Sequence, residues 1–280
     1  MNPYLITEPT CISFSGGRTS AYMLYQVLQA HGGKMPADGI VCFANTGKEE
    51  EATLKFVNDC SINWGVPIIW LEYQAENPKF KVVDYASASR NGEPFAELIT
   101  KRSYLPNAIA RFCTSELKVL AIDRYMKSID RPEYDTLVGI RADEPRRVAK
   151  MRVNADVKLT PLATQGVTQA IVWDFWNSQP FDLELAKFNG ASNCDLCFLK
   201  GTGILGGLII QKPERAIWWA NMEKQTGGRF ANDKPTYAQM MQFQKERSAG
   251  PASRSKTLDC PSSLKRAASV LPAEPAPMTM

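Results

Sequence analysis

The stretch CISFSGGRTSAYML, residues 11–24, joins a strand-like segment to a helix-like one through the glycine pair Gly16 and Gly17. The residues before the glycines are β-formers, and apolar side chains after them recur at helical intervals. Glycines at such a junction allow backbone N–H groups to converge, and the helix N-terminus adds positive potential, so an anion fits there. A tight turn that simply needs glycine explains the same pattern. The loop is not a Walker A loop, because GxxxxGK(S/T) is absent.

The residues around this turn supply hydrogen-bond donors for a phosphate group. The serine and threonine hydroxyls can donate, the arginine brings a positive charge, and the glycines expose backbone N–H groups. The candidate phosphate-binding residues are Ser15, Gly16, Gly17, Arg18, Thr19 and Ser20.

Strand-like and helix-like segments alternate through the first half of the chain. Near-continuous apolar runs predict strands at residues 10–15, 39–44, 66–73 and 135–140, with helices between them. This alternation predicts the α/β class, with a doubly wound, mostly parallel sheet covered on both faces. Ligands of such sheets bind at the carboxyl ends of the strands, where the glycine turn and the segment NTG, residues 45–47, both fall.

Three helices carry features that a structure can check. Acidic residues 49–51 are expected in the first turn of the second helix, where they suit the helix dipole. Another helix is expected over residues 114–127, and a third over residues 168–176, begun by a capping threonine. The predicted inward side chains of this third helix are Ile171, Val172 and Phe175.

The composition is that of an ordinary globular protein. Hydrophobic residues make up 44% and charged residues 22% of 280 residues, and a net charge of +4 does not by itself indicate nucleic acid. No apolar run reaches the roughly 20 residues that span a bilayer, so no membrane partner is expected. The N-terminal residues lack a secretory signal pattern, which predicts a cytoplasmic location. The one histidine, His31, falls at an apparent helix end, which disfavours histidine-based catalysis.

Seven cysteines in a reducing compartment favour metal or redox chemistry over a disulfide framework. Cys11 and Cys42 fall in strand-like runs and Cys60 in a helical pattern, so these three are predicted to be small buried hydrophobes. Cys194 and Cys197 form a CxxC motif, whose spacing lets both sulfurs reach one metal centre. Zinc sites, Fe–S clusters and dithiol redox pairs all use this motif.

Two further cysteines complete a possible four-thiolate set. Cys113 in RFCTSELK follows Arg111 and precedes a helix, and both features favour the thiolate. Cys260 in LDCPSS lies in a polar region with little to bury. The spacing alone leaves zinc and iron open as the metal.

The order strand–SGGRTS–helix, strand–NTG–EEEATLKF, strand–GIRADE resembles the PP-loop family of adenine-nucleotide α-hydrolases, with their HUP-like version of the α/β fold. That family includes ATP pyrophosphatases, tRNA sulfur-transfer enzymes and phosphoadenylylsulfate (PAPS) reductases. The resemblance covers roughly residues 10–215 and is most specific in FANTGKEEEATLKFV, residues 43–57, and VGIRADEPRR, residues 138–147. It implies that the chain binds an adenine nucleotide, either ATP or PAPS.

The resemblance also implies roles for particular residues. The SGGRTS loop would hold phosphates, and Thr46 and Gly47 would lie beside the nucleoside. Arg141 would contact phosphate or sulfate as a catalytic residue, with Arg146 or Arg147 assisting.

Sulfur-handling members of the family often carry a 4Fe–4S cluster, and reductase-like relatives from phages and bacteria have a similar CxxCFxK segment. The resemblance therefore implies a cluster held by Cys113, Cys194 and Cys197, with Cys260 as a fourth ligand or a catalytic thiol. Three features depart from the family. Many ATP pyrophosphatases have aspartate at the position of Thr19, which leaves a magnesium ion there open. The adjacent cysteine pairs of adenylylsulfate reductases and the ECG segment of typical PAPS reductases are absent.

Two reactions are compatible with this resemblance. In one, ATP adenylates a substrate oxygen and a sulfur donor then displaces the adenylate. In the other, a cysteine thiolate attacks the sulfur of PAPS, and a thiol reductant releases sulfite. Two other classes stay open: a factor that modifies tRNA or DNA, and a non-catalytic, zinc-stabilised binding module. A homodimer is compatible with each.

The expected organisation has three parts. Residues 1–185 form the nucleotide-binding α/β domain, residues 186–244 a cysteine-containing helical extension packed on it, and residues 245–280 a disordered tail rich in Ser, Ala and Pro. GTGILG, residues 201–206, matches GxGxxG but follows no predicted strand, so a dinucleotide site is not expected there. Trp218 and Trp219 are expected to pack in a core or interface.

Overall fold

The computed structural model describes residues 2–153, 158–185 and 194–248. The chain divides into two compact units. The first, here called the sheet unit, comprises Met1–Arg102 and Arg111–Asp195. The second, the helical unit, comprises Ser103–Ala110 and Leu196–Met280.

The sheet unit is an α/β structure built on one mostly parallel sheet. The strands in the described part of the chain lie in the order β4-β3-β2-β1-β5-β6, with only the β3–β4 pair antiparallel. All four predicted strands are confirmed, although three are shorter than expected, and the sequence did not predict β4 and β6. The strands are β1 (Thr10–Ser13), β2 (Gly39–Asn45), β3 (Ile68–Glu72), β4 (Lys81–Val83), β5 (Asp135–Val138) and β6 (Lys158–Leu159).

Helices cover both faces of this sheet. Alternate residues of the central strands β1 and β2 are therefore buried in two separate cores, one on each face. Ile12 and Phe43 join the core that includes the inner faces of the first two helices. Cys11 and Cys42 point to the other side, where they pack with Met126. Both cysteines and Cys60 are fully buried, which confirms the prediction for these three.

The chain reverses its direction of travel across the sheet between β1 and β5. It proceeds from β1 to β2 and β3 on one side, then returns to place β5 on the other side of β1. The segments that follow β1 and β5 therefore diverge at a switch point, the position at which open α/β sheets bind ligands.

The helices of the sheet unit differ from the predictions in three details. Glu49 is not in the first turn of the second helix, because that helix begins at Glu51. The helix predicted at residue 114 starts at Phe112 and contains a π-helical turn, Ser115–Val119. The helices are α1 (Arg18–Ala30), α2 (Glu51–Trp64), α3 (Glu93–Arg102), α4 (Phe112–Thr114), α5 (Leu120–Ser128), α6 (Pro145–Val153), α7 (Pro161–Thr164) and α8 (Gln169–Asn177).

The start of α8 shows the third difference. Thr168 occupies the N-cap position, but its side chain makes no capping hydrogen bond. Asp143 caps the helix instead, because its Oδ2 accepts a hydrogen bond from the Gln169 N–H at 3.0 Å. Val172 is buried as predicted, whereas Ile171 is 42% exposed and Trp176 takes the second buried position.

His31 lies at the end of α1, as the sequence predicts. Its Nε2 accepts a hydrogen bond from the Ile6 N–H at 3.0 Å. The imidazole thus ties the N-terminal segment to the helix end.

The helical unit contains α9 (Thr202–Gln211), α10 (Glu214–Thr226) and α11 (Tyr237–Ser248). Most of GTGILG lies inside α9. Trp219 is fully buried and packs on Phe230 and Tyr237, which confirms its core role. The tail boundary expected at residue 245 falls within α11, and Cys260 lies outside the described residues. No helix in the described part of the chain is long and apolar enough to cross a membrane.

Candidate nucleotide site at the carboxyl edge of the sheet

The turn after β1 requires glycine at its first position. Gly16 has φ +74°, and a Cβ there would lie 2.6 Å from Thr53 Cγ2. Any side chain would therefore combine an unfavourable backbone conformation with a clash against α2. Gly17 is extended and forms the N-cap of α1. The turn packs tightly against α2 and leads directly into the helix.

The first turn of α1 presents backbone donors at this edge. The N–H groups of Gly16, Gly17, Arg18 and Thr19 have no acceptor among the described residues. The α1 N-cap residue makes no side-chain capping bond either. Converging N–H groups at the start of a 13-residue helix suit an anionic group.

The two serines of the loop bond to each other, and Ser20 is buried whereas Ser15 is exposed. Ser15 Oγ and Ser20 Oγ are 2.9 Å apart, and Ser20 Oγ also accepts a hydrogen bond from the Ser15 N–H at 3.2 Å. Ser20 is buried, because Gly139, just after β5, lies against it. A Cβ on Gly139 would be 2.9 Å from the Ser20 Cα. These contacts fix the shape of the loop.

Arg18 is bound elsewhere in the sheet unit. Its Nε and Nη2 donate to the two carboxylate oxygens of Asp182 at 2.6 and 2.9 Å, and Nη2 also donates to the Leu183 carbonyl. The guanidinium lies 4.6 Å from the ring centroid of Trp173. The sequence predicts Arg18 as a phosphate ligand, but in this structure it anchors the residue 182–183 segment to the start of α1.

Arg141 and Thr19 are brought together across the switch point. Arg141 Nη1 donates to Thr19 Oγ1 at 3.2 Å, although the two residues are 122 positions apart. Asp143 holds the guanidinium from the other side, with Nε to Oδ1 at 2.8 Å. Glu144 fixes the loop by accepting from the Arg141 N–H at 3.1 Å. A positive charge from the β5 loop is thus held beside the glycine turn.

The two arginines that follow lie on α6. Arg147 is exposed and pairs with Glu144 at 2.6 Å, and Arg146 is exposed as well. The Glu144 carboxylate therefore links Arg147 to the backbone of Arg141.

The NTG segment at the end of β2 is held by buried polar contacts. Asn45 is fully buried, and its Oδ1 accepts from the Gly47 N–H at 3.0 Å while its Nδ2 donates to Glu72 at 2.6 Å. Gly47 has φ +74°, and a Cβ there would lie 3.0 Å from Gly92 Cα. Thr46 Oγ1 donates to Glu49 Oε1 at 3.0 Å. These contacts join the segment to Glu72 at the end of β3 and to Glu49.

Two residues after Gly47, Glu49 begins a group of charged side chains that includes Lys118. Lys118 Nζ lies 3.1 Å from Glu49 Oε1, and the Glu49 side chain is fully buried. Burial works against the ammonium form of Lys118, but the Glu49 carboxylate holds its pKa above the ordinary value. Cys194 and Cys113 add to this effect. The second carboxylate oxygen of Glu49 has no hydrogen-bond partner among the described residues.

The cysteine predicted to open the CxxC motif joins this group of charged side chains through the backbone. Cys194 forms an antiparallel bridge with Glu49, and the Asp195 N–H donates to the Lys48 carbonyl at 2.9 Å. Lys48 Nζ and Asp195 Oδ2 are 3.0 Å apart, and both side chains are buried.

The structure brings only part of the predicted thiolate set into one unit. Cys113 and Cys194 belong to the sheet unit, and both help to raise the pKa of Lys118. Cys197 belongs to the helical unit. All three are half-buried. Within the described ranges no three His, Cys, Asp or Glu side chains are grouped as a metal site. Cys113, Cys194 and Cys197 therefore do not by themselves form the expected set of four ligands. Binding of a cluster or of zinc stays a prediction.

Sequence reasoning missed four residues at this edge. Thr53 walls the glycine turn, and its hydroxyl is buried without a partner among the described residues. Asp182 binds Arg18, and Glu49 pairs with Lys118. Helical spacing places Thr53 inward, because it lies four positions before Val57 and seven before Cys60, which are both buried. Nothing local in the sequence identifies the other three, because each acts through a contact distant in the chain.

The fold and this edge define an α/β protein with a glycine turn and an arginine loop at the switch point of a mostly parallel sheet. No family model matches the chain. It is 31% identical over 206 residues to the uncharacterized nin region protein ORF290 of Escherichia phage lambda, covering 70% of this chain and 67% of that protein. The chain belongs to the family of this phage protein.

An archaeal protein is also similar. The uncharacterized protein MJ0066 of Methanocaldococcus jannaschii is 31% identical over 227 residues, which cover 79% of this chain. The match spans 42% of the archaeal protein, so more than half of that relative has no counterpart here.

Proposed function

We propose that this chain is a PAPS reductase-like enzyme that binds an adenine nucleotide at the carboxyl edge of its sheet and carries out sulfur chemistry there. The phosphates bind in the turn formed by residues 15–20. The reaction is either reduction of PAPS or ATP-dependent adenylation followed by sulfur transfer. The HUP-like version of the α/β fold is part of the proposal.

The contact between Arg141 and Thr19 carries the proposal. A phosphate at the start of α1 would face the N–H groups of the turn and the Arg141 guanidinium together. Arg141 can donate to an anion in a planar, two-pronged geometry, and Asp143 orients it for this purpose. Such preorganised donors stabilise negative charge that develops on a transferring phosphoryl or sulfuryl group.

The position of the NTG segment supports a nucleoside beside the phosphates. Thr46 and Gly47 follow β2, the neighbour of β1, so they lie at the same edge of the sheet as the glycine turn. Arg18 has a different role in this proposal from that expected. It anchors the turn through Asp182, and the binding charge comes from Arg141.

The cysteines beside Lys118 support the sulfur step. Cys113 and Cys194 interact electrostatically with the Lys118 ammonium group, and cysteine thiolates are the nucleophiles and ligands of sulfur chemistry. A 4Fe–4S cluster held by Cys113, Cys194, Cys197 and Cys260 would supply an iron atom that can bind the sulfur species. Zinc held by the same cysteines would instead stabilise the fold around them. Magnesium would accompany ATP.

Calorimetry tests this proposal and separates its two reactions. Anaerobically purified chain is titrated with a non-hydrolysable ATP analogue and, in parallel, with adenosine 3′,5′-bisphosphate. Tighter binding of the ATP analogue supports adenylation and sulfur transfer, and tighter binding of the bisphosphate supports PAPS reduction. If neither binds, the nucleotide-binding function is wrong, and zinc in such a protein would favour the binding module.

A second candidate, modification of tRNA or DNA, rests on α6. Arg146, Arg147 and Lys150 are exposed on this helix, which starts four residues after Arg141. Phosphate contacts by these residues would make tRNA or DNA binding fall steeply with salt. Filter binding of tRNA and duplex DNA from 50 to 200 mM salt, about the range over which such contacts weaken, tests this candidate against Arg146→Ala/Lys150→Ala. Equal affinity of this variant and the parent chain would exclude it.

A further inference from the structure

Two short segments pair with each other: residues 48–49, which follow Gly47, and residues 194–195, which begin the CxxC motif. Glu49 faces Cys194 in a backbone bridge, and the Lys48 carbonyl accepts from the Asp195 N–H at 2.9 Å. Lys48 and Asp195 also pair through their side chains at 3.0 Å. Two links therefore join these two short segments, which are about 145 residues apart in the chain: the backbone bridge, which includes the Asp195–Lys48 hydrogen bond, and the side-chain ion pair.

The side-chain pair in this junction is unusually well shielded. The exposed fractions of the Lys48 and Asp195 side chains are 7% and 5%. Such a pair resists separation, because removing one partner leaves the other charge buried and uncompensated. A buried ion pair adds more to a defined geometry than to net stability. It suits a junction in which the position of one cysteine matters.

We infer that Lys48 and Asp195 are positioning residues that couple the nucleotide segment, Thr46–Gly47, to Cys194. A nucleotide beside Gly47 fixes Lys48 and Glu49, and these residues hold Cys194 through the backbone bridge and the ion pair. Coupling between two binding sites is reciprocal, so a ligand bound at Cys194 would change nucleotide affinity by the factor by which the nucleotide changes the affinity for that ligand. The coupling rests on the proposed nucleotide site, whereas the positioning of Cys194 does not.

The positioning is tested without nucleotide. The alkylation rate of each cysteine by iodoacetamide is measured by mass spectrometry in the parent chain and in Lys48→Met/Asp195→Leu, each freed of bound metal with a chelator. Replacing both partners avoids a lone buried charge, so this variant is the one expected to fold. Cys194 alkylation rises about tenfold through local opening, and Cys113 stays within about twofold. Lys55→Met, which alters an exposed lysine of α2, leaves both rates unchanged. An unchanged Cys194 rate in the folded double variant would overturn the inference.

The coupling is tested with a saturating non-hydrolysable ATP analogue. The analogue slows Cys194 alkylation about fivefold or more in the parent chain and has no effect on it in the double variant. An analogue that binds by calorimetry and leaves Cys194 alkylation unchanged would disprove the coupling. If calorimetry detects no binding, the proposed function fails, and the nucleotide-free comparison still decides whether Lys48 and Asp195 position Cys194.

Discussion

Arg141 Nη1 donates a hydrogen bond to Thr19 Oγ1 at 3.2 Å, and this bond links the loop after β5 to the first turn of α1. Strands β1 and β5 are neighbours in the sheet, and the segments that follow them diverge at the switch point. A hydroxyl at position 19 thus serves as an acceptor for the arginine, which already pairs with Asp143 at 2.8 Å and lies 3.7 Å from Glu144 Oε2. An aspartate at position 19 would add a third carboxylate and neutralise more of the charge.

Replacement of Arg141 tests the anion site directly. Arg141→Ala is expected to weaken binding of the ATP analogue about 10- to 100-fold, because a hydrogen bond to a charged group contributes about 1.5–3 kcal/mol. The Kd is measured by calorimetry. The control Lys127→Ala removes an exposed α5 lysine that pairs with Asp123 and should leave the Kd unchanged. Parent-like affinity of Arg141→Ala would remove Arg141 from the site.

Two glycines with similar backbone angles separate steric clash from conformational strain. Gly16 and Gly166 have φ +74° and +68°, but a Cβ would meet Thr53 at 2.6 Å only at Gly16. Gly166→Ala should lower the free energy of unfolding by about 1 kcal/mol through strain alone. Gly16→Ala should lower it by a further 1–3 kcal/mol, roughly the cost of overpacking. Urea denaturation provides both values, and equal losses would mean that the turn tolerates a side chain.

The cysteines are expected to fall into two reactivity groups. A hydrogen bond to Cys11, together with burial, raises the pKa of the Cys42 thiol, and burial raises that of Cys60. These two thiols stay protonated and enclosed, so they should resist alkylation at pH 8 in the native chain. Cys113 and Cys194, which are half-buried, should react once any bound metal has been removed with a chelator. Modification mapped by mass spectrometry checks this order, and rapid labelling of Cys42 in folded protein would contradict it.

Glu116 predicts a pH-dependent contribution to stability. Burial opposes its charge, but Arg124 and Arg102 lower its pKa below the ordinary value of 4.5. Its ion pairs are therefore fully stabilising above about pH 5. The contribution is lost as the pH falls through the lowered pKa. Glu116→Gln should be about 1–3 kcal/mol less stable than the parent at pH 7.

The same comparison at low pH provides the control for Glu116. The difference between Glu116→Gln and the parent chain should be smaller at pH 3 than at pH 7, because the stabilising contribution is lost as the pH falls through the lowered pKa. Urea titrations at the two pH values measure it. A difference independent of pH would show that Glu116 contributes through packing alone.

Metal content tests the predicted thiolate set. Anaerobically purified chain is expected to contain iron and acid-labile sulfide, with brown colour that Cys197→Ser abolishes while the fold is retained. The matched control Cys60→Ala alters a core cysteine and should keep the colour. Elemental analysis separates the outcomes. Zinc alone would favour the binding module, and no metal would remove the cluster from the proposed function.

The strands and the glycine turn were predictable because local patterns encode them. Apolar runs mark β1, β2, β3 and β5, and a glycine pair between a strand and a helix marks the turn. The short edge strands β4 and β6 were missed because three or two residues carry no recognisable pattern. The Thr168 cap failed for another reason: Asp143, distant in sequence, satisfies the helix N-terminus in its place.

The sequence by itself determined the α/β class, the position of the glycine turn at a carboxyl strand end, and the burial of Cys11, Cys42 and Cys60. These features follow from residue type and spacing along the chain. Only the tertiary structure decided that Arg18 binds Asp182, 164 residues away, and that Arg141 reaches Thr19. It also decided that Glu49 leaves the helix and pairs with Lys118. Charge–charge contacts between distant segments depend on how the strands are ordered in the sheet, and the order of strands has no local signature.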